Sequence, residues 1–202
     1  MDLNIEVART ALVVIDLQRG IVDRPAGPRS PAEVVARAGQ LARALRAAGG
    51  TVVLVRVTPS PDGKDGLKPI TDAPSQVGGR SLPPKTPGGE LAGHSWSEFV
   101  DELKPEATDI VITKRQWGAF YGTELDLQLR RRGIDTIILC GISTNVGVES
   151  TARDAYERGY QQVFVEDAMA AGDAEDHLHT VRTVFPRIGR VRSTEDVLAA
   201  LQ

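Results

Sequence analysis

Two residues in this 202-residue chain have the types and positions to do acid–base chemistry together, and a third, a glycine, falls at the same sheet edge. Asp16 closes the apolar run 10–16 (TALVVID), and Lys114 closes the run 109–114 (DIVITK). Gly147 lies in the first turn of a predicted helix that follows another such run, 135–140 (DTIILC). A carboxylate and an ammonium ending apolar runs are costly to bury unpaired, so each calls for the other. An Asp–Lys pair in a cleft has two readings: an acid/base couple that moves protons, or a structural salt bridge at a sheet edge. The residues alone do not choose between them. The turn 143–147 offers free backbone N–H groups at a helix start, suited to an anion or a developing oxyanion. Glycine there costs up to ~1 kcal/mol against alanine, a cost offset by close approach to a ligand or by tight packing on the sheet.

The elements that must position these residues are legible as runs. TALVVID, TVVLVRV (51–57), DIVITK, DTIILC and QVFVED (162–167) are short, nearly continuous and rich in β-branched residues; RIGRV (187–191) is a shorter sixth. Continuous rather than alternating runs imply burial on both faces, and so a parallel sheet covered by helices. Ser30-Pro31-Ala32-Glu33 reads as a capping box opening a helix that packs Val34, Val35, Leu41 and Leu45 and stops near Gly49. Thr123 is the expected cap of a second helix packing Leu125 and Leu129, and Arg130, Arg131 and Arg132 suit its C-terminal dipole rather than a binding patch. A third helix spans about 145–158, a fourth runs from about 174 to Pro186, and a last one follows Ser193-Thr194. In open parallel α/β sheets ligands bind beyond the carboxyl ends of the strands, which is where Asp16, Lys114 and Gly147 fall.

The bulk composition, 41% hydrophobic and 25% charged, is ordinary for a globular chain and predicts one domain over 1–202. A net charge of −3 gives no electrostatic footprint for nucleic acid or anionic membrane. No apolar stretch approaches the roughly 20 residues that span a bilayer. The N-terminus has acidic residues ahead of its apolar run and no basic segment, which argues against a signal peptide and for the cytoplasm. The lone Cys140 can form no internal disulfide. Residues 58–93 hold seven of the twelve prolines and seven glycines without apolar periodicity, as expected of a long functional loop, either a lid or a binding rim.

The segments VVIDLQRG, KRQWGAFYGTELDLQLRRRGIDTIILCGISTNVGVESTARDAYERGY and VEDAMA resemble, in order and spacing, the isochorismatase-like (cysteine) hydrolases, and within them the YecD-type subgroup. The likeness runs from about Thr10 to the C-terminal helix. It implies a three-layer α/β/α sandwich around a six-stranded parallel sheet, a Rossmann-like arrangement. It also implies an Asp–Lys–Cys triad and a non-proline cis peptide at Ile142-Ser143. In amidohydrolase members the cysteine lies three residues beyond the threonine that here is Thr144; that position is Gly147. Asp16 and Lys114 therefore carry over and the nucleophile does not. Isochorismatases proper also have glycine there, and their vinyl-ether hydrolysis resembles acid-catalysed water addition without a covalent intermediate.

By that analogy Asp16 is the general acid, Lys114 orients it and a substrate carboxylate, and the turn from Ser143 and Thr144 to Gly147 binds an anion. Ile21, Trp117, Phe120 and Tyr121 are the expected apolar wall, with Phe120 equally suited to anchoring the next helix. Where isochorismatases proper carry Ala-His this chain has Thr144-Asn145, which points away from isochorismate itself. No metal or other cofactor is expected. The Asp-x-His of metal-dependent nicotinamidases has no counterpart in RVTPSPDGKDG, and His177 and His179 point to different faces of one helix. The expected activity is a metal-independent hydrolase of a small carboxylate or cyclic acid, in a homo-oligomer. Two alternatives are an amide hydrolase with another nucleophile, for instance Cys140, and a catalytically silent ligand-binding protein. Cys140, at the end of an apolar run, has the setting of a core thiol.

Overall fold

The computed structural model describes residues 3–60, 62, 64–67, 70, 72 and 94–201; most of the 58–93 loop lies outside the described residues. Each apolar run forms a strand. β1 (Thr10–Ile15), β2 (Thr51–Val57), β3 (Ile110–Lys114), β4 (Thr136–Ile142), β5 (Gln161–Ala170) and β6 (Arg190–Arg192) make one sheet in the order β3-β2-β1-β4-β5-β6. Every pairing is parallel. The helices among the described residues are α1 (Arg19–Val22), α2 (Pro31–Ala47), α3 (His94–Ser97), α4 (Leu125–Arg131) and α5 (Glu149–Glu157), then α6 (Ala174–His179), α7 (Phe185–Ile188) and α8 (Thr194–Ala200).

The strands are apolar throughout because successive side chains feed two different cores. Leu12, Val14, Val52, Leu54, Ile138 and Cys140 face a cluster that includes Leu41 and Leu45 of α2 and Val197 of α8. Ala11, Val13, Ile15, Val53, Val55, Ile137 and Leu139 face the opposite cluster, with Leu125 and Leu129 of α4, Ala152 of α5 and Phe185 of α7. This is the α/β/α layering that the continuous runs imply. No helix among the described residues is long and apolar enough to cross a membrane.

Local chemistry sets the element ends, with some differences from the sequence reading. The Ser30–Glu33 capping box forms at α2 with Pro31 in its first turn. At α4 the cap position falls on Glu124, while Thr123 Oγ1 still accepts the Leu125 N–H at 3.2 Å. Pro186 does not end a helix: the chain passes through a π-helical turn, Thr180–Val184, and Pro186 opens α7, where its missing N–H costs little. β4 and β5 run past their expected ends to Ile142 and Ala170, with a register irregularity between Leu139 and Gly141.

Because β1 has β2 on one side and β4 on the other, the strand order reverses at β1, and the carboxyl ends of β1 and β4 meet at the place where open parallel sheets bind ligands. Gly141 permits that junction. Its φ is 125°, and a Cβ there would sit 2.1 Å from the Ile15 carbonyl oxygen. Gly141→Ala is therefore expected to cost more than ~3 kcal/mol by combining backbone strain with a backbone clash. Urea denaturation checks this, and a loss under ~1 kcal/mol would contradict the close approach.

Candidate active site

Asp16 follows β1 directly rather than ending it, with φ of 54°, in the left-handed region that aspartate tolerates better than most residues. Its N–H donates to the Val55 carbonyl at 2.9 Å, so the bend is anchored on β2. Lys114 ends β3, two strands away, and its Nζ donates to Asp16 Oδ2 at 2.8 Å. The same ammonium donates to the carbonyls of Trp117 at 2.9 Å and Gln116 at 3.1 Å. Lys114 and Asp16 are 0% and 1% exposed. Three acceptors match the three N–H groups of an ammonium, so the geometry calls for the charged form. They also commit those N–H groups to Asp16 and to the 116–117 backbone.

Gly147 faces this pair. A Cβ on it would lie 3.2 Å from Asp16 Oδ2, 3.0 Å from Ile15 Cγ2 and 3.6 Å from the Trp117 carbonyl oxygen. It rides on a π-helical turn, Thr144–Val148, entered through a cis peptide at Ile142-Ser143. Within the turn the Ser143 carbonyl accepts from Val146 and Val148 N–H at 3.2 and 3.1 Å. Thr151 locks the turn to the lysine segment, donating to the Gly147 carbonyl at 2.7 Å and accepting from the Ala119 N–H at 3.1 Å. Ser143 Oγ donates to Asn145 Oδ1 at 2.9 Å, and Thr144 is fully buried.

The remaining expected wall residues divide. Trp117 and Tyr121 have side chains 53% and 73% exposed, and Trp117 meets the pair through its carbonyl. Phe120 takes the core position that suited it equally in the sequence, buried with its ring centroid 5.6 Å from that of Tyr160 and under the Arg158 guanidinium. Ile21 packs against the α2-side cluster. Cys140 points into that same cluster, fully buried, and burial pushes its thiol up to about 12; Gly147 contacts Ile15 of the other cluster. Two surface concavities, about 620 Å³ between α2 and α8 and about 350 Å³ around Arg19, Arg56 and Phe99, share no lining residue with the Asp16–Lys114 pair.

Two buried polar side chains escaped the sequence reading. Gln18 donates to the Val57 carbonyl at 3.0 Å and accepts the Val57 N–H at 2.8 Å, tying the exit of β1 to the end of β2. His177, 1% exposed on α6, is bonded through Nδ1 to Thr144 Oγ1 at 2.8 Å. Burial, and then the Arg29 cation, hold its imidazole below the ordinary histidine value. Gln18 had a usable signal, an amide two residues past Asp16 in an apolar setting. His177 had only its partner in space. Among the described residues no three His, Cys, Asp or Glu side chains are grouped to hold a metal ion.

An isochorismatase domain profile matches residues 10–196, and the chain belongs to the isochorismatase family, whose members are hydrolases, amidohydrolases among them. It is 52% identical to the uncharacterized isochorismatase family protein YecD of Escherichia coli O157:H7, over 98% of this chain and 100% of that one. It is 50% identical to YwoC of Bacillus subtilis, over 97% and 96% of the two chains. Among solved structures it is similar to an isochorismatase family protein from Burkholderia thailandensis, with TM-score 0.86 and 44% identity over 99% and 97% of the two chains. Amidohydrolases are also similar. The ureidoacrylate amidohydrolase RutB of Methylorubrum extorquens is 35% identical over 95% and 83%. N-carbamoylsarcosine amidase from Thermoplasma acidophilum superposes with TM-score 0.70 at 30% identity over 93% and 97%.

Two outcomes follow from the buried groups. Lys114→Met strands the Asp16 carboxylate, and the expected cost is about 3–5 kcal/mol; adding Asp16→Asn should recover part of it, read by urea denaturation. Stability should also fall as pH drops below 6.5. There the unfolded chain takes up a proton on His177 that the native imidazole refuses, at up to about 1.4 kcal/mol per pH unit, until the native ring is itself protonated. His177→Gln should flatten the loss between pH 7.5 and 5.5.

Proposed function

We propose that this protein is a metal-independent hydrolase of a small, carboxylate-bearing or cyclic acid that adds water directly, with Asp16 as the proton-transfer group. The observation that carries the reading is the Cβ direction at Gly147, which leaves a side-chain-free position against the Asp16 carboxylate where a nucleophile would otherwise project. With no thiol there, covalent catalysis lacks its group, while the proton carrier and its holder are in place.

On an enol ether, Asp16 enters protonated and delivers its proton to the terminal enol carbon. Water adds to the resulting oxocarbenium carbon and returns a proton to Asp16. The hemiketal then releases the alcohol and leaves the ketone. The Lys114 contact opposes the protonated form, so loading accompanies substrate entry, when an anionic substrate and loss of water both disfavour a second anion. Lys114 positions Asp16 and the 116–117 backbone. In this reading the substrate carboxylate is taken by the backbone of the Ser143–Gly147 turn, while Lys114 stays bonded to Asp16 and to the carbonyls of residues 116 and 117. A homo-oligomer in the cytoplasm is part of the same proposal.

The names of two similar proteins, a ureidoacrylate amidohydrolase and an N-carbamoylsarcosine amidase, favour a second reading, amide hydrolysis. Here Cys140 is a poor nucleophile, buried in the opposite core with its thiol pushed up to about 12, so Asp16 would have to act as general base on water. Chelator-treated protein assayed on enol ethers such as isochorismate, beside amides such as nicotinamide and maleamate, separates the two. Enol-ether turnover falling by at least 10²-fold in Asp16→Asn is the expected result. Amide turnover alone would move the assignment to the second reading, and full retention of rate in Asp16→Asn would remove Asp16 from the chemistry.

A further inference from the structure

The turn that carries Gly147 is held on two sides. Thr151 fixes it from α5. From the other side comes α6, where His177 Nδ1 meets Thr144 Oγ1 at 2.8 Å and Asp176 Oδ2 accepts the Asn145 amide at 3.0 Å. Thr144 and His177 are both buried, so neither can exchange its partner for water without opening the packing. The charged groups around the imidazole come from several elements. Glu166 of β5 lies 3.9 Å from Nε2, the Arg29 cation comes from the loop before α2, and Asp176 and Asp173 belong to α6 and its cap. Glu149, at the start of α5, is engaged by Thr180 and Arg153. In the tautomer that carries its proton on Nε2, on the side of Glu166, Nδ1 holds the lone pair and accepts the Thr144 hydroxyl proton.

We infer that His177 is a positioning residue, a neutral imidazole on α6 that clamps Thr144 and thereby holds the backbone turn bearing Gly147 against the Asp16–Lys114 pair. The inference rests on reading that turn as a wall of the active site, and its test needs no turnover. Protonation reverses the bond: Nδ1–H then donates to Thr144 Oγ1, the hydroxyl's own proton has to find another acceptor inside the packing, and that cost loosens the clamp. Arg29 opposes that protonation and so guards the clamp.

Native-state hydrogen exchange of 15N-labelled protein reads the clamp through the Val148 amide, which is bonded to the Ser143 carbonyl. Thr144→Val should speed exchange at Val148 by about tenfold, the equivalent of one lost hydrogen bond, while Leu139 in β4 keeps its protection. Thr144→Ser, which keeps the hydroxyl, should exchange like the wild type. After correction for intrinsic rates, wild-type Val148 should lose protection on acidification with the midpoint of the His177 imidazole, followed by its ring carbon signals. Arg29→Gln should raise both midpoints together. Unchanged Val148 exchange in Thr144→Val would overturn the inference, as would equal loss at Leu139, which marks general destabilisation. If Thr144→Val does not fold, the Arg29→Gln titration decides, and a Val148 response that fails to follow His177 counts against the clamp. Success or failure here is independent of whether any enol ether or amide is hydrolysed.

Discussion

A buried ion pair between two strands that are not neighbours sets the terms for this fold. Asp16 and Lys114 meet at 2.8 Å with almost no exposure, and removing two charges from water is repaid only where geometry is good and the remaining bonds are satisfied. The surrounding structure meets both conditions. Asp16 takes a left-handed conformation anchored on Val55, Gln18 ties the chain just beyond it to β2, and the carbonyls of residues 116 and 117 turn inward to fill the ammonium's other bonds. The order β3-β2-β1 is what lets a lysine at the sheet edge reach across β2 to the strand-order reversal at β1.

The second constraint is a missing side chain. Position 147 looks directly at the carboxylate, and the chain supplies nothing there beyond backbone. On the proposed reading, a buried Asp–Lys pair faced by a glycine suits reactions in which water, not the protein, forms the new bond to carbon. In that reading the ion pair favours carboxylate before binding, and an anionic substrate shifts that balance at the moment it binds. Selectivity for acids would, on the same reading, follow from proton loading as well as from contact with the turn.

Much of this was legible in the sequence, for identifiable reasons. Continuous apolar runs fixed the parallel sheet, since both faces are buried, and unpaired charges at run ends identified Asp16 and Lys114 as partners before any distance was known. Gly147 was legible at the ligand-binding edge from its run and turn, and as the nucleophile position only through the family pattern. What escaped was relational. Phe120 had two readings from its place after Lys114, pocket wall or core anchor, and the turn at 118–123 sends it under Arg158 into the core, the second of them. His177 looked like one of two unremarkable helix histidines, because its partner Thr144 lies 33 residues away in the chain and only the packing of α6 on the turn joins them. The inward carbonyls of residues 116 and 117, which give the Lys114 ammonium further acceptors, also had no signal in the sequence.

Turnover of an enol-ether acid in D₂O tests direct water addition at Asp16 most closely. Proton delivery to carbon predicts one deuteron on the former enol terminus of the released keto acid, formed by wild-type enzyme and not by Asp16→Asn. Product released at the wild-type rate with that carbon unlabelled, or labelled equally by Asp16→Asn, would contradict it.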